Sequence, residues 1–226
     1  MSLDVKTLDE TRLASWLEKN LDGFKGPLKA TKFGDGQSNP TFLIEAASGT
    51  YVLRRKPPGV LLKSAHAVDR EFRVQRALAG SGVPVAQMYV LCEDDSVIGT
   101  AFYVMQRIDG RIFWDPSLPD VSREDRGKIY DEMNRALAKL ATTDPARVGL
   151  GDFGRPGSYF ERQFKRWTDQ YRASETRTVA AMDSLIAWLA DRVPEDDGRV
   201  SIVHGDYRLD NMIFHPTAPR LLAVLD

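Results

Sequence analysis

Apolar positions along the chain follow two periods, and the places where one gives way to the other mark its elements. Leu8, Leu13, Trp16, Leu17 and Leu21 recur at helical spacing until Gly23 and Gly26-Pro27 stop the pattern, which predicts a leading helix. In the run Tyr51-Val52-Leu53-Arg54-Arg55 the period is two: Val52 and Arg54 share one face, and Tyr51, Leu53 and Arg55 the other. From His66 to Gly80 the helical period returns, with Val68, Phe72, Gln75, Leu78 and Ala79 on one face and Arg70, Arg73 and Arg76 away from its centre. Val83-Pro84-Val85 opens a further predicted strand, which Val90-Leu91-Cys92 and Ala101 to Met105 continue around an Asp94-Asp95 turn.

The second half is mostly helical. Ser122 with Asp125 three residues on is a helix start, and Ile129, Met133, Ala136, Leu137 and Leu140 form the stripe that follows. Tyr159 to Arg172 and Thr178 to Val193 read as two more helices. Phe160, Phe164, Trp167 and Tyr171 recur at spacings of three and four, which predicts aromatics packed into a core in preference to an apolar acceptor pocket. Arg162, Lys165, Arg166 and Arg172 read as a solvated face.

Near the end, the apolar runs Ile202-Val203 and Met212-Ile213-Phe214 bracket the polar loop His204-Gly205-Asp206-Tyr207-Arg208-Leu209-Asp210-Asn211, and Leu221 to Leu225 leads into Asp226. Asp206, Asn211 and Asp226 make a carboxylate, an amide and a second carboxylate. Three such oxygens suit a hard cation such as Mg²⁺, and Asp206 can instead accept a proton from an incoming hydroxyl. The chemistry this favours is phosphoryl transfer. Upstream, Phe33 to Phe42 is a glycine-rich turn: Gly34 and Gly36 permit close approach of backbone amides to phosphate oxygens, and Ser38 and Asn39 add small polar groups. Taken alone, this turn is a plain hairpin. Glu71 falls inside the packed face of its helix, where a carboxylate needs a cationic partner because an unpaired buried charge is costly; without one it is a solvated border residue.

Composition narrows the class. The 226 residues, 42% hydrophobic and 28% charged, are ordinary for one large domain or two lobes. Lys plus Arg, 31, against Asp plus Glu, 32, leaves a net charge of -1, so neither nucleic acid nor a membrane surface is expected as a partner. The single cysteine, Cys92, excludes an internal disulfide and a multi-cysteine metal site. No apolar run approaches the ~18 residues of a membrane span, and Met1 to Lys6 lacks the signal-peptide pattern, so a cytoplasmic location is expected.

The loop HGDYRLDN followed by LLAVLD resembles the catalytic loop and metal strand of the aminoglycoside phosphotransferase and choline kinase-like families, distant relatives of the protein kinases. Gln37-Ser38-Asn39-Pro40 and Arg54-Arg55-Lys56-Pro57-Pro58-Gly59 look closer to the phosphotransferase-like domain fused to some acyl-CoA dehydrogenases. The resemblance implies an α+β, two-lobed, protein kinase-like fold: residues 1–106 as a lobe with a small antiparallel sheet, residues 107–226 as a mostly helical lobe. It implies ATP and Mg²⁺ as cofactors and a small hydroxylated molecule as acceptor, an aminoglycoside-like alcohol or a hydroxyacyl compound. Asp206 then serves as catalytic base and Asn211 and Asp226 as metal ligands. Gly34, Gly36, Ser38, Asn39 and Arg54 hold the phosphates, Glu71 pairs with Arg54, and the hinge at Met105 offers its backbone to adenine. Arg54 stands where kinases carry lysine; it keeps the charge and can grip two oxygens, with Lys56 as the competing neighbour. His204 is expected to be a structural hydrogen-bonder, and Cys92 and Met105 packing residues. Resembling families continue past the position of Asp226 with a helical remainder, so a shortened chain is expected. The alternatives are a nucleotide-binding module without turnover and a metal-dependent hydrolase; the latter leaves the glycine-rich turn and the Arg54-Glu71 pair without a purpose.

Overall fold

Asp9 starts the first helix: its carboxylate accepts the Arg12 N–H at 3.0 Å, satisfying one of the donors a helix start leaves open. The structure, a computed structural model, describes residues 8–34, 39–57, 67–155 and 157–226. The expected leading helix is α1 (Glu10–Asn20), with Leu13 and Leu17 fully buried. Next come β1 (Leu28–Lys32), β2 (Thr41–Ala46), β3 (Gly49–Arg55), α2 (Val68–Leu78), β4 (Met88–Cys92) and β5 (Phe102–Gln106). The strands form one antiparallel sheet in the order β1-β2-β3-β5-β4, as expected for the first part of the chain.

Alternation along the strands gives this sheet two buried faces. Phe42, Ile44, Leu53, Phe102 and Val104 point to one face and pack with Leu13 and Leu17 of α1. Val52, Tyr103 and Met105 point to the other and pack with Val68 and Phe72 of α2. Each such aliphatic or aromatic side chain contributes about 1.5–3 kcal/mol on full burial. Arg55 goes to the first face: its side chain is almost wholly buried, with the guanidinium carbon 5.3 Å from the centre of the Phe42 ring. The strand expected from Val83 starts later, at Met88. Pro84 has no N–H for a ladder, and its carbonyl instead accepts the Val224 N–H at 2.9 Å.

The chain divides into two compact units, one of Met1–Thr143 with Val203–Asp226, the other of Asp144–Ile202; position 106 lies inside the first. Also in the first unit, Ser122 caps α3 (Arg123–Ala141) by accepting the Asp125 N–H at 3.1 Å. The hairpin of β6 (Met212–Phe214) and β7 (Leu221–Val224) shares a core with Ile129 and Ala136 of α3 and with Leu118 and Leu209. Arg111 ties the segment after β5 to this hairpin: it exchanges backbone hydrogen bonds with Phe214, and its guanidinium donates to the carbonyls of His215 and Ala218. The second unit holds α4 (Tyr159–Ser174) and α5 (Ala180–Ala190), neither of which contains a fully buried residue.

Gly110 sits where two backbones meet. A Cβ at this position would lie under 3.0 Å from the Phe214 carbonyl oxygen and from Ile213 Cγ2, so a side chain has to push the hairpin away. Gly110→Ala is therefore expected to cost about 2 kcal/mol, read as a lower urea midpoint at unchanged slope. Superimposable melts for the two proteins would mean that the backbone yields there without strain.

Candidate active site

Adjacent elements of the first unit deliver an arginine and two carboxylates to one point. Arg54 leaves β3 on the α2 face and Glu71 comes from the first turn of α2; the Arg54 Nε lies 3.0 Å from Glu71 Oε2. The N–H points off the line between them, so the contact is one of charge more than an aligned hydrogen bond. The Arg54 Nη2 pairs with Asp226 Oδ1, just beyond β7. Lys56 is elsewhere, 3.9 Å from Asp69. Arg54 thus holds the place the sequence reading gave it, beside Glu71, and the structure adds Asp226 to the pair.

The Glu71 carboxylate is held on both oxygens. Asn39 Nδ2 donates to Oε1 at 2.6 Å, and the Tyr103 hydroxyl donates to Oε2 at 3.2 Å. The Arg54 and Glu71 side chains are only 13% and 17% exposed, so their charges act in a poorly screened setting. Burial works against the Arg54 charge, but Glu71, Tyr103 and Asp226 outweigh it and hold its pKa above the ordinary value. Burial pushes the Glu71 carboxyl above its ordinary range despite Arg54, with the like charge of Asp226 adding to the rise. The Tyr103 hydroxyl is likewise pushed up, chiefly by burial and then by Glu71.

The loop from His204 to Asn211 is tied to the same place. His204 Nδ1 accepts the Asp206 N–H at 3.3 Å, which leaves Nε2 to donate to the Leu225 carbonyl at 2.8 Å, one residue before Asp226. Its ring meets Tyr207 edge-on, with centroids 5.5 Å apart, and Tyr207 in turn donates to the Met133 carbonyl of α3. Asn211 forms the end of the single 3₁₀ turn Leu209–Asn211; its Nδ2 donates to the Asp206 backbone oxygen at 2.9 Å and to Asp206 Oδ2 at 3.1 Å, and its carbonyl accepts the Leu225 N–H at 2.8 Å. Arg208 bridges Asp206 Oδ1, at 3.1 Å, and Asp210.

Asn39, Arg54, Glu71 and Asp226 are therefore one contact network, and hydrogen bonds through Leu225 join Asp206 and Asn211 to it. Gly34 lies at the start of the turn with a positive φ of 41°; Gly36 and Ser38 lie outside the described residues, as does His66. The Met105 and Cys92 side chains are buried in the sheet core, and burial pushes the Cys92 thiol up. Tyr103 carries contacts that sequence reasoning did not assign. For Tyr103 the signal was its partnership with Arg54 across β3 and β5, a register the strand pattern alone does not reveal.

The expected burial of the α4 aromatics is overturned. Phe160 and Trp167 are half exposed, and with Phe164, Tyr171, Leu185 and Leu189 they line an apolar groove of about 320 Å³ between α4 and α5. Among the described residues, no group of three or more His, Cys, Asp or Glu side chains converges as a metal site. No described helix is long and apolar enough to cross a membrane.

The chain belongs to the phosphotransferase enzyme family, whose model matches residues 29–226. The fold is kinase-like. A crystal structure from Ralstonia eutropha, described as a candidate aminoglycoside phosphotransferase, is 53% identical with a TM-score of 0.85, covering 97% of this chain and 64% of that one. A streptomycin–ATP complex of the aminoglycoside phosphotransferase APH(2")-IIa, at 16% identity and a TM-score of 0.63, covers 97% and 70%. Acyl-CoA dehydrogenase family member 10 of Mus musculus is 48% identical over 215 residues, 93% of this chain and 20% of that protein. The chain spans between 20% and 28% of the length of the curated relatives it matches.

Because the raised Glu71 pKa means that the folded state holds this proton more tightly than the unfolded chain, the group's contribution to stability is complete below its ordinary value of 4.5 and is lost as pH rises through the raised one. Arg54 opposes that loss. Arg54→Met is expected to cost about 3 kcal/mol near neutral pH, by leaving a buried carboxylate without its cation, and progressively less as the medium is acidified toward pH 4.5, where Glu71 is protonated in both proteins. A deficit in chemical denaturation that stays constant with pH would contradict this account.

Proposed function

We propose that the chain moves the γ-phosphoryl group of ATP to a hydroxyl of a small molecule. The observation that carries this reading is the double pairing of Arg54 with Glu71 and Asp226, hydrogen-bonded through Leu225 to the loop that bears Asp206 and Asn211. Phosphoryl transfer needs positioning and charge stabilisation more than covalent help from the protein. Asn211 Oδ1 and an Asp226 oxygen are hard donors at one end of the β6–β7 hairpin, and they fit a Mg²⁺ completed by phosphates and water. Bound there, Mg²⁺ would neutralise the charge that builds on the phosphate oxygens. Arg54 keeps Glu71 and turns its outer nitrogens from Asp226 to the phosphates, which its planar fork can grip bidentately.

Asp206 is 61% exposed at its side chain, within reach of an incoming acceptor. It orients the acceptor hydroxyl and takes its proton while the oxygen bonds to the γ-phosphorus and the bond to the bridging oxygen of ADP breaks. The proton then passes to water. The turn from Gly34 to Asn39 supplies backbone amides to the phosphates, and adenine lies against the backbone that follows Met105, with residues 1–106 and 107–226 as the two lobes. Similarity to acyl-CoA dehydrogenase family members favours a hydroxyacyl acceptor, and similarity to the Ralstonia protein an aminoglycoside-like alcohol. ATP is named in the complex of the distant structural neighbour. The buried, disulfide-free Cys92 suits a cytoplasmic setting. A second reading, nucleotide binding without turnover, is favoured by the engagement of Asp226 with Arg54.

Incubating a metabolite pool with the chain, ATP and Mg²⁺ is expected to yield a product heavier by one phosphoryl group, with the chain extended as in its relatives as a parallel sample. Asp206→Asn is expected to lower transfer by about 10³-fold while nucleotide affinity stays within a few-fold. Undiminished transfer in that variant would remove Asp206 from the role of base, and binding without any transfer in either protein would favour the second reading.

A further inference from the structure

We propose that Asn39 and Tyr103 are positioning residues: they act through Glu71, fixing the one orientation of its carboxylate that aims the Arg54 guanidinium at the nucleotide phosphates. The inference rests on the phosphate-cleft reading above. Glu71 offers two oxygens, and the structure assigns each a neutral donor. Asn39, at the end of the glycine-rich turn, takes Oε1 at 2.6 Å, and Tyr103, on β5, takes Oε2 at 3.2 Å, on the side that faces Arg54. Both are shielded from water, at 5% and 1% exposure. A carboxylate with both oxygens engaged cannot rotate about its terminal bond without breaking a buried hydrogen bond.

The alternative orientations matter because Arg54 has two carboxylates to choose from. Asp226 already holds its Nη2, so a Glu71 that swings away leaves the guanidinium to Asp226 alone, aimed at the position of the cation instead of the phosphates. The two donors come from different places in the fold. Tyr103 faces Arg54 directly across β3 and β5, so its hydroxyl references Glu71 to the sheet. Asn39, just before β2, accepts the Thr41 hydroxyl on its carbonyl and so references Glu71 to the start of that strand. The amide nitrogen of Asn39 is thereby directed at Glu71 of α2.

The test is a double-mutant cycle on affinity for a non-hydrolysable ATP analogue with Mg²⁺, measured by calorimetry on the chain. Asn39→Ala is expected to weaken binding by about 10-fold and Tyr103→Phe, which keeps the ring, by about 5-fold. In a Glu71→Ala background each is expected to add less than about 2-fold, since the group they act through is gone. Asn39→Asp, which keeps the size of the side chain but replaces the donor with a like charge against Glu71, is expected to weaken binding at least as much as Asn39→Ala, a loss that mere packing would not produce. Full additivity of Asn39→Ala with Glu71→Ala, or unchanged affinity in Asn39→Ala and Tyr103→Phe, would overturn the proposal while leaving the cleft in place. If the unaltered chain does not bind the analogue, or Glu71→Ala binds it normally, the cleft reading itself falls and the positioning role with it.

Discussion

One guanidinium organises this protein. Arg54 sits between the carboxylates of Glu71 and Asp226; its own charge and that of Glu71 are shielded from water, so neither of these two can be removed without stranding the other. Glu71 is carried by α2 and Asp226 follows β7, 155 positions later in the chain, so a single side chain fixes the relation between the sheet and the loop that bears Asp206. The sheet has to be two-faced for this to work. Leu53 and Arg55 secure β3 on the α1 side, and the alternation that buries them turns Arg54 toward α2.

A second constraint acts at the other end of the site. His204 accepts from the backbone of Asp206 and donates to the carbonyl of Leu225, while Asn211 receives the Leu225 N–H. Both backbone polar groups of Leu225 are thus engaged by the loop, and the residue after it is Asp226. Asp206, the proposed base, and the two proposed metal ligands are therefore referenced to the two peptide planes that flank the Leu225 Cα. Tyr207 extends the framework to α3 through Met133, which anchors an otherwise exposed loop to that helix at one point.

Much of this was legible in the residues, because the signals were local. Alternation in Tyr51 to Arg55 put Arg54 on the correct face, and the helical spacing of Val68, Phe72, Gln75 and Leu78 placed Glu71 toward packing. The hydrogen-bonding role expected of His204 needed only the short loop around it. What could not be read depended on register or on partners. Tyr103 meets Glu71 only because β5 pairs with β3 in one particular register, and any two-residue slip would place another side chain there. Val83 and Val85 look like strand residues, but Pro84 withholds a donor and the ladder begins four residues later, at Met88. The buried Arg55 carries no mark that separates it from Arg54, since both are cations in an apolar run.

Periodicity also says which residues share a face, never whether anything covers it, and so the aromatics of α4 predicted a core where there is a groove. Left in water, that furrow of Phe160, Trp167, Leu185 and their neighbours gives the chain a greasy seam. Its colloidal behaviour follows: salting-out anions such as sulfate strengthen the attraction between such seams on different molecules, whereas mild chaotropes loosen it. The salt that surrounds the chain thus sets the strength of any attraction between such seams.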